Sequence, residues 1–179
     1  MASIGHVAIG MAAGRWWSTR SQAPTSEAML AWSALSLCPD LDVVGMAFGI
    51  PYGAPWGHRG ATHSLLMALV VGASTALFRP HGAPAPPRAR PRAMRALLAT
   101  AVMASHGLLD AMTDGGKGVA LLWPFTPARF FLPWRPIPVA PIGMGFLSGE
   151  GARVAAWETL VFLPFFLFAL WPRRSHPLS

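Results

Sequence analysis

Residues 93–112 read AMRALLATAVMASHGLLDAM, an almost unbroken apolar run of the length that crosses a bilayer core. Near its end stand His106 and Asp110. At positions i and i+4 they share one helix face, with side-chain bases about 5–6 Å apart. An imidazole and a carboxylate so placed can bind one metal ion, or can simply hydrogen-bond to each other inside a helical bundle. An Asp within an apolar segment is expensive to bury, so a functional role is the default expectation.

Four further apolar segments surround this one: 4–14, 28–38, 62–78 and 154–171. The first two fall short of the roughly 20 residues needed to span a bilayer. The segments 62–78 and 93–112 are adequate spans. The last is the most hydrophobic and carries Pro164, a kink site. The expected architecture is therefore all-α, a multi-pass transmembrane bundle of about four to five helices forming a single domain over residues 1–179. Composition agrees, with 53% hydrophobic residues, 12% charged, eight Trp and ten Phe. A soluble domain carries about 25% charged residues. No Lys or Arg precedes the apolar run at 1–14, which is not the form of a cleavable signal peptide. The lone cysteine, Cys38, excludes a disulfide framework and any Cys-rich zinc module.

Two other segments interrupt the apolar pattern. Residues 79–95, RPHGAPAPPRARPRAMR, hold five Arg among many Pro and read as an exposed, extended loop. Residues 115–149 are rich in Trp, Phe and Pro with little periodicity, and suit an irregular interfacial cap over one bundle end. The net charge is +7, but no nucleic-acid-binding motif is present and nucleic acid is not an expected partner. Arg15, Arg20, the five Arg of the loop, Arg173 and Arg174 fall on one side of an up-and-down bundle. By the positive-inside rule that side is cytoplasmic, and the other faces the periplasm.

Such an arrangement gathers polar residues at the outer end. His6 opens the first segment. Asp40 and Asp42, in PDLD at 39–42, close the second. His58, Arg59 and His63, in GHRGATHSLL at 57–66, open the third, with Thr62 as candidate N-cap. His106 and Asp110 close the fourth. The competing role for Asp40 and Asp42 is helix capping, but capping accounts for one carboxylate more easily than two, which repel unless a cation lies between them. Imidazole with carboxylate suits zinc, manganese or iron. Seven candidate ligands (His6, Asp40, Asp42, His58, His63, His106, Asp110) exceed one tetrahedral shell, so one or two ions are expected, Zn2+ foremost. Asp42 or an unused His is the expected general base, with Asp42, His63 and Arg59 the candidate catalytic groups. Arg59 would neutralise an anionic substrate or a carboxylate, and Arg129 and Arg135 would draw in a lipid head group. Asp114 and Glu158 are weaker candidates, and His81 and His176 read as solvated.

The ordered set of an early His, PDLD, GHRGATHSLL and SHGLLDAMTDGGKGVALLWPF (105–125) resembles the YdjM family of membrane-bound metal-dependent hydrolases, over His6 to about Pro133. The HxxxD spacing is also similar to a motif of zinc-dependent phospholipase C enzymes. The resemblance implies a bacterial inner-membrane hydrolase, with the family's polar motif residues falling on the seven named above and a phosphoester or lipid-type substrate. The competing expectation is a non-enzymatic membrane protein whose metal cluster is structural or which transports a metal ion or proton. A transporter would carry polar residues through the whole bilayer depth, yet the other halves of segments three and four are nearly free of them.

Overall fold

The computed structural model describes residues 3–21, 25–77 and 92–172. They are helical, with no strand among them beyond the isolated bridges Thr113–Ile137 and Val119–Phe130. Helix α1 (Ile4–Ser21) and α2 (Thr25–Leu37) form an antiparallel hairpin. Gly10 and Gly14, one helical turn apart, let the backbones touch. A Cβ at Gly14 would lie 2.5 Å from Met29 Cα, and one at Gly10 would overlap the Ser33 backbone. This is the small-residue packing that apolar helices use in lipid, where no hydrophobic force drives them together.

Helix α2 continues through a 3-10 turn, Cys38–Asp42, into the short α3 (Val43–Ala47). Pro39 sits in the first turn of that tighter segment, where its missing N–H costs no hydrogen bond. A loop and a second 3-10 turn, Ala61–His63, lead to α4 (Leu65–Ser74). The expected span over 62–78 is thus a ten-residue helix, about 15 Å long and half a bilayer core. Its N-cap is Ser64, whose hydroxyl accepts the Met67 N–H at 3.1 Å, and not Thr62. The Thr62 hydroxyl is engaged instead by Asp42, at 2.6 Å, so the cap falls two residues later.

Helix α5 (Arg92–Ala111) packs against α4, so Arg92 to Arg95 belong to a helix; the rest of the expected Arg/Pro loop, with His81, lies outside the described residues, as do Arg173, Arg174 and His176. Residues 112–148, which include the expected cap, wind irregularly past the end of α5. Finally α6 (Gly149–Val161) and α7 (Leu163–Leu170) meet at a 63° bend beside Pro164. On length and composition, one helical path among the described residues is fit to cross a membrane, Thr25–Ala47. A second is added if the bent α6–α7 pair counts as one span. The expectation of four to five spans is therefore only partly met. The 20-residue α5 is long enough, about 30 Å, but Arg92, Arg95 and Asp110 lower its hydropathy.

What the fold buries is unusual. His6, Arg59, His63, His106, Asp110 and Glu158 are all at most 2% exposed, while Leu167, Phe168 and Leu170 on α7 are more than half exposed. A soluble protein buries the second group and solvates the first. A polar interior wrapped in apolar helix faces is the arrangement lipid favours.

Candidate metal centre

Four elements deliver the site. Its ligands come from the end of α2, the turn before α4, and the last turns of α5, with His6 descending from the start of α1. Gly107, on the α5 face between His106 and Asp110, presses directly on the His63 carbonyl, and a Cβ there would overlap it. The absence of a side chain at residue 107 is therefore what sets α5 against the 61–63 turn.

Nε2 of His63, Nε2 of His106, one oxygen of Asp40 and one of Asp110 converge within 4.8 Å of one another. The Nε2–Nε2 separation is 3.1 Å. Asp40 Oδ1 stands 3.5 Å from His63 Nε2 and 3.3 Å from His106 Nε2. Asp110 Oδ2 stands 3.4 Å from His63 Nε2 and 3.9 Å from His106 Nε2. Zinc bonds of about 2.0–2.1 Å in a tetrahedron put ligand atoms about 3.3–3.4 Å apart, so these edges bracket one ion.

The protonation pattern points the same way. His106 Nδ1 lies 2.7 Å from the Ser36 carbonyl oxygen, which can only accept, so Nδ1 carries the proton. His63 Nδ1 faces Asp42 Oδ2 at 3.1 Å and the Thr62 hydroxyl at 3.0 Å. In the neutral rings both Nε2 atoms then carry lone pairs, aimed at each other and at two carboxylate oxygens. Four such atoms repel one another unless a cation lies among them, a proton on His63 Nε2 or a metal ion. Burial opposes charge on His63, but its contacts with Asp110, Asp40 and Asp42 outweigh that and push its pKa up to about 10. The pocket wants positive charge, and the residues fit a divalent metal.

A second cluster, Asp42, His58 and His63, shares the His63 ring. His58 Nδ1 is 2.8 Å from Asp42 Oδ1, and Asp42 Oδ2 accepts the Thr62 hydroxyl. With Nε2 of His63 committed to the first cluster, its Nδ1–H is a donor. Asp42 therefore acts as the carboxylate that orients a ligand imidazole, a recurrent partner of metal-bound His. His6 takes another position again. Its ring stacks on His106, centroids 3.6 Å apart and nearly parallel, and its Nε2 lies 3.8 Å from Asp110 Oδ1. Neither ring nitrogen of this buried residue makes a hydrogen bond among the described residues.

Arg59 adopts the left-handed backbone conformation, φ 61°, rare outside glycine. This turns its guanidinium inward, where it donates to Thr113 Oγ1 at 2.9 Å and Gly115 O at 3.1 Å and pairs with Asp110 at 3.2 Å. Of its two expected roles, the contacts supply the neutralised carboxylate. Arg129 spends its guanidinium on backbone carbonyls of residues 52, 54, 58, 59 and 118, tying the His58 loop to the cap. Arg135 lies over the Phe131 ring. Asp114 receives the Val139 N–H at 2.7 Å and orders the cap.

Sequence reasoning missed several supports. The Ser36 carbonyl leaves no trace in residue identity. Glu158, weighed as a ligand, instead accepts the Gly5 N–H at 3.1 Å, holding the first turn of α1 and with it His6. A buried Glu one turn inside an apolar segment was the available signal.

Residues 1–176 match the family model described as YdjM inner membrane protein. It is 39% identical over 151 residues to inner membrane protein YbcI of Escherichia coli (strain K12), covering 82% of this chain and 84% of that one. No solved structure matches significantly. The chain belongs to the YdjM family of inner membrane proteins.

Proposed function

We propose that this member of the YdjM inner membrane family is a membrane-embedded metal-dependent hydrolase acting on a phosphoester or ester bond of a lipid-type substrate. The carrying observation is the convergence of ligand atoms from His63, His106, Asp40 and Asp110 in one buried cluster. Zn2+ suits this mixed set, with Mn2+ or Fe2+ as alternatives. When bound, such an ion supplies Lewis acidity and a water whose pKa falls to about 7.

The chain's own groups then have separable tasks. His63 and His106 are held in one tautomer by Asp42 and by the Ser36 carbonyl. Arg59 fixes Asp110 and offsets its charge. Of the donors, Asp40 alone borders an open cleft, and His58 lines the same wall. His58, hydrogen-bonded through Nδ1 to Asp42, is oriented as the general base that takes a proton from an attacking water there. This assigns to His58 the role of the unused His, and to Asp42 that of its partner. His6 beside Asp110 is the reserve ligand for a second ion.

One observation favours the alternative, a structural cluster or a transport role. Four protein donors fill a tetrahedral shell, as in structural sites, whereas catalytic zinc usually keeps a position for water. The open cleft at Asp40 and the lack of cysteine among the donors weigh toward hydrolysis. Elemental analysis of the detergent-purified protein tests the first step. Wild type should hold about one or two transition-metal ions per chain, and His106→Ala/Asp110→Ala should hold none. A wild type that neither carries nor takes up metal would end the hydrolase reading. Metal with no turnover of phosphodiester or phospholipid esters would favour the structural one.

A further inference from the structure

The cleft beside Asp40 has two unlike walls. Its floor is polar, formed by Asp40, His58, Arg59 and Tyr52, and the exposed Lys117 ammonium stands 5.7 Å over the Tyr52 ring. Its rim is apolar, with Val43 at the start of α3 on one side and Ile142 and Phe146 of the cap on the other. The residues that follow in the chain are apolar and exposed on both sides: Val44, Met46 and Phe48 after Val43, and Met144 and Leu147 around Phe146, at 37–83% exposure. Contiguous exposed apolar surface marks a binding or membrane-contact region. A mouth built to admit a hydrophilic solute from water would carry a polar rim.

Size narrows the occupant. The cleft encloses about 230 Å³, below the roughly 300–1,000 Å³ of pockets that engulf a drug-sized ligand. It has room for a linkage and part of a head group, and none for acyl chains. Chains that remain outside must lie against apolar surface, and the lips provide it. The family is one of inner membrane proteins, so exposed apolar surface has lipid available to it.

We infer that the cleft between α3 and residues 139–146 is a lateral entrance for a glycerophospholipid, which seats its phosphoglycerol linkage beside Asp40 and leaves its chains in the bilayer between the two lips. The inference deepens the hydrolase reading and rests on it for the fate of the lipid, though not for its binding. The Tyr52 hydroxyl in the floor and the Lys117 ammonium beside it can donate to the ester and phosphate oxygens.

The test is photo-crosslinking of the full chain in nanodiscs of phosphatidylethanolamine and phosphatidylglycerol. A trace of phosphatidylglycerol carries a diazirine near the glycerol end of one chain. Labelling mapped by mass spectrometry should concentrate on 43–48 and 139–147, several-fold above the outward face of α7 at Leu167 and Phe168. Phe146→Arg should reduce the lip labelling and leave that on α7 unchanged. Lip labelling no stronger than that of α7, or unaffected by Phe146→Arg, overturns the proposal. So does protection by water-soluble glycerophosphoglycerol as effective as by unlabelled lipid, which would place entry from water. The two readings fail separately. Lip labelling retained in a wild type that holds no metal counts against the hydrolase alone. Metal retained without lip labelling counts against the lateral entrance alone.

Discussion

Replacing Asp42 by Asn keeps the side chain's shape and removes the charge that orients His63 and His58. If Asp42 orients and does not ligate, Asp42→Asn should weaken zinc affinity by about 10–100-fold, the usual cost of losing an outer-shell partner. Asp40→Ala and Asp110→Ala should abolish tight binding, since each removes a donor from the shell. Competition against a fluorescent chelator separates these outcomes. Equal losses at Asp42 and Asp40 would make Asp42 a ligand. At this scale the sequence was informative about identity and silent about rank. The spacing of His106 and Asp110 and the two short motifs marked the residues that the fold brings together, because polar side chains in apolar segments stand out. What divides ligands from orienters is which ring nitrogen meets which oxygen, and that depends on the Ser36 carbonyl and the Thr62 hydroxyl, which no spacing encodes.

At the scale of elements, the contact of α5 with the 61–63 turn depends on an absent side chain. Gly107→Ala should favour the helix locally by up to about 1 kcal/mol, since Ala is the better helix former. Yet its Cβ meets the His63 carbonyl, so metal retention should fall while circular dichroism shows helix content unchanged or higher. Full retention of metal in that variant would mean that the turn can move without loss of the site. Helix existence was legible from apolar runs, and the bend at Pro164 from a single residue. Helix ends were not. Thr62 and Ser64 are both good caps by type, and only the capture of the Thr62 hydroxyl by Asp42, from a distant segment, decided between them.

Across the whole molecule, the charge pattern predicts an orientation that can be measured. In a Cys38→Ser background, a cysteine at Ala128, exposed in the irregular segment at the site end, should react with a membrane-impermeant maleimide in intact cells. One placed in 79–91 should react only after permeabilisation. The reverse pattern would turn the site toward the cytoplasm. The all-helical class and the polar interior followed from composition and from the positions of His and Asp. The number of spans did not, because polar ligands within helices lower the very hydropathy by which spans are counted. The bond from Gly5 to Glu158 has a temporal consequence. His6 is made long before α6, the helix that fastens its turn. While a nascent chain ends short of α6 that fastening is missing, so the stacking of His6 on His106 is completed only once α6 has been added.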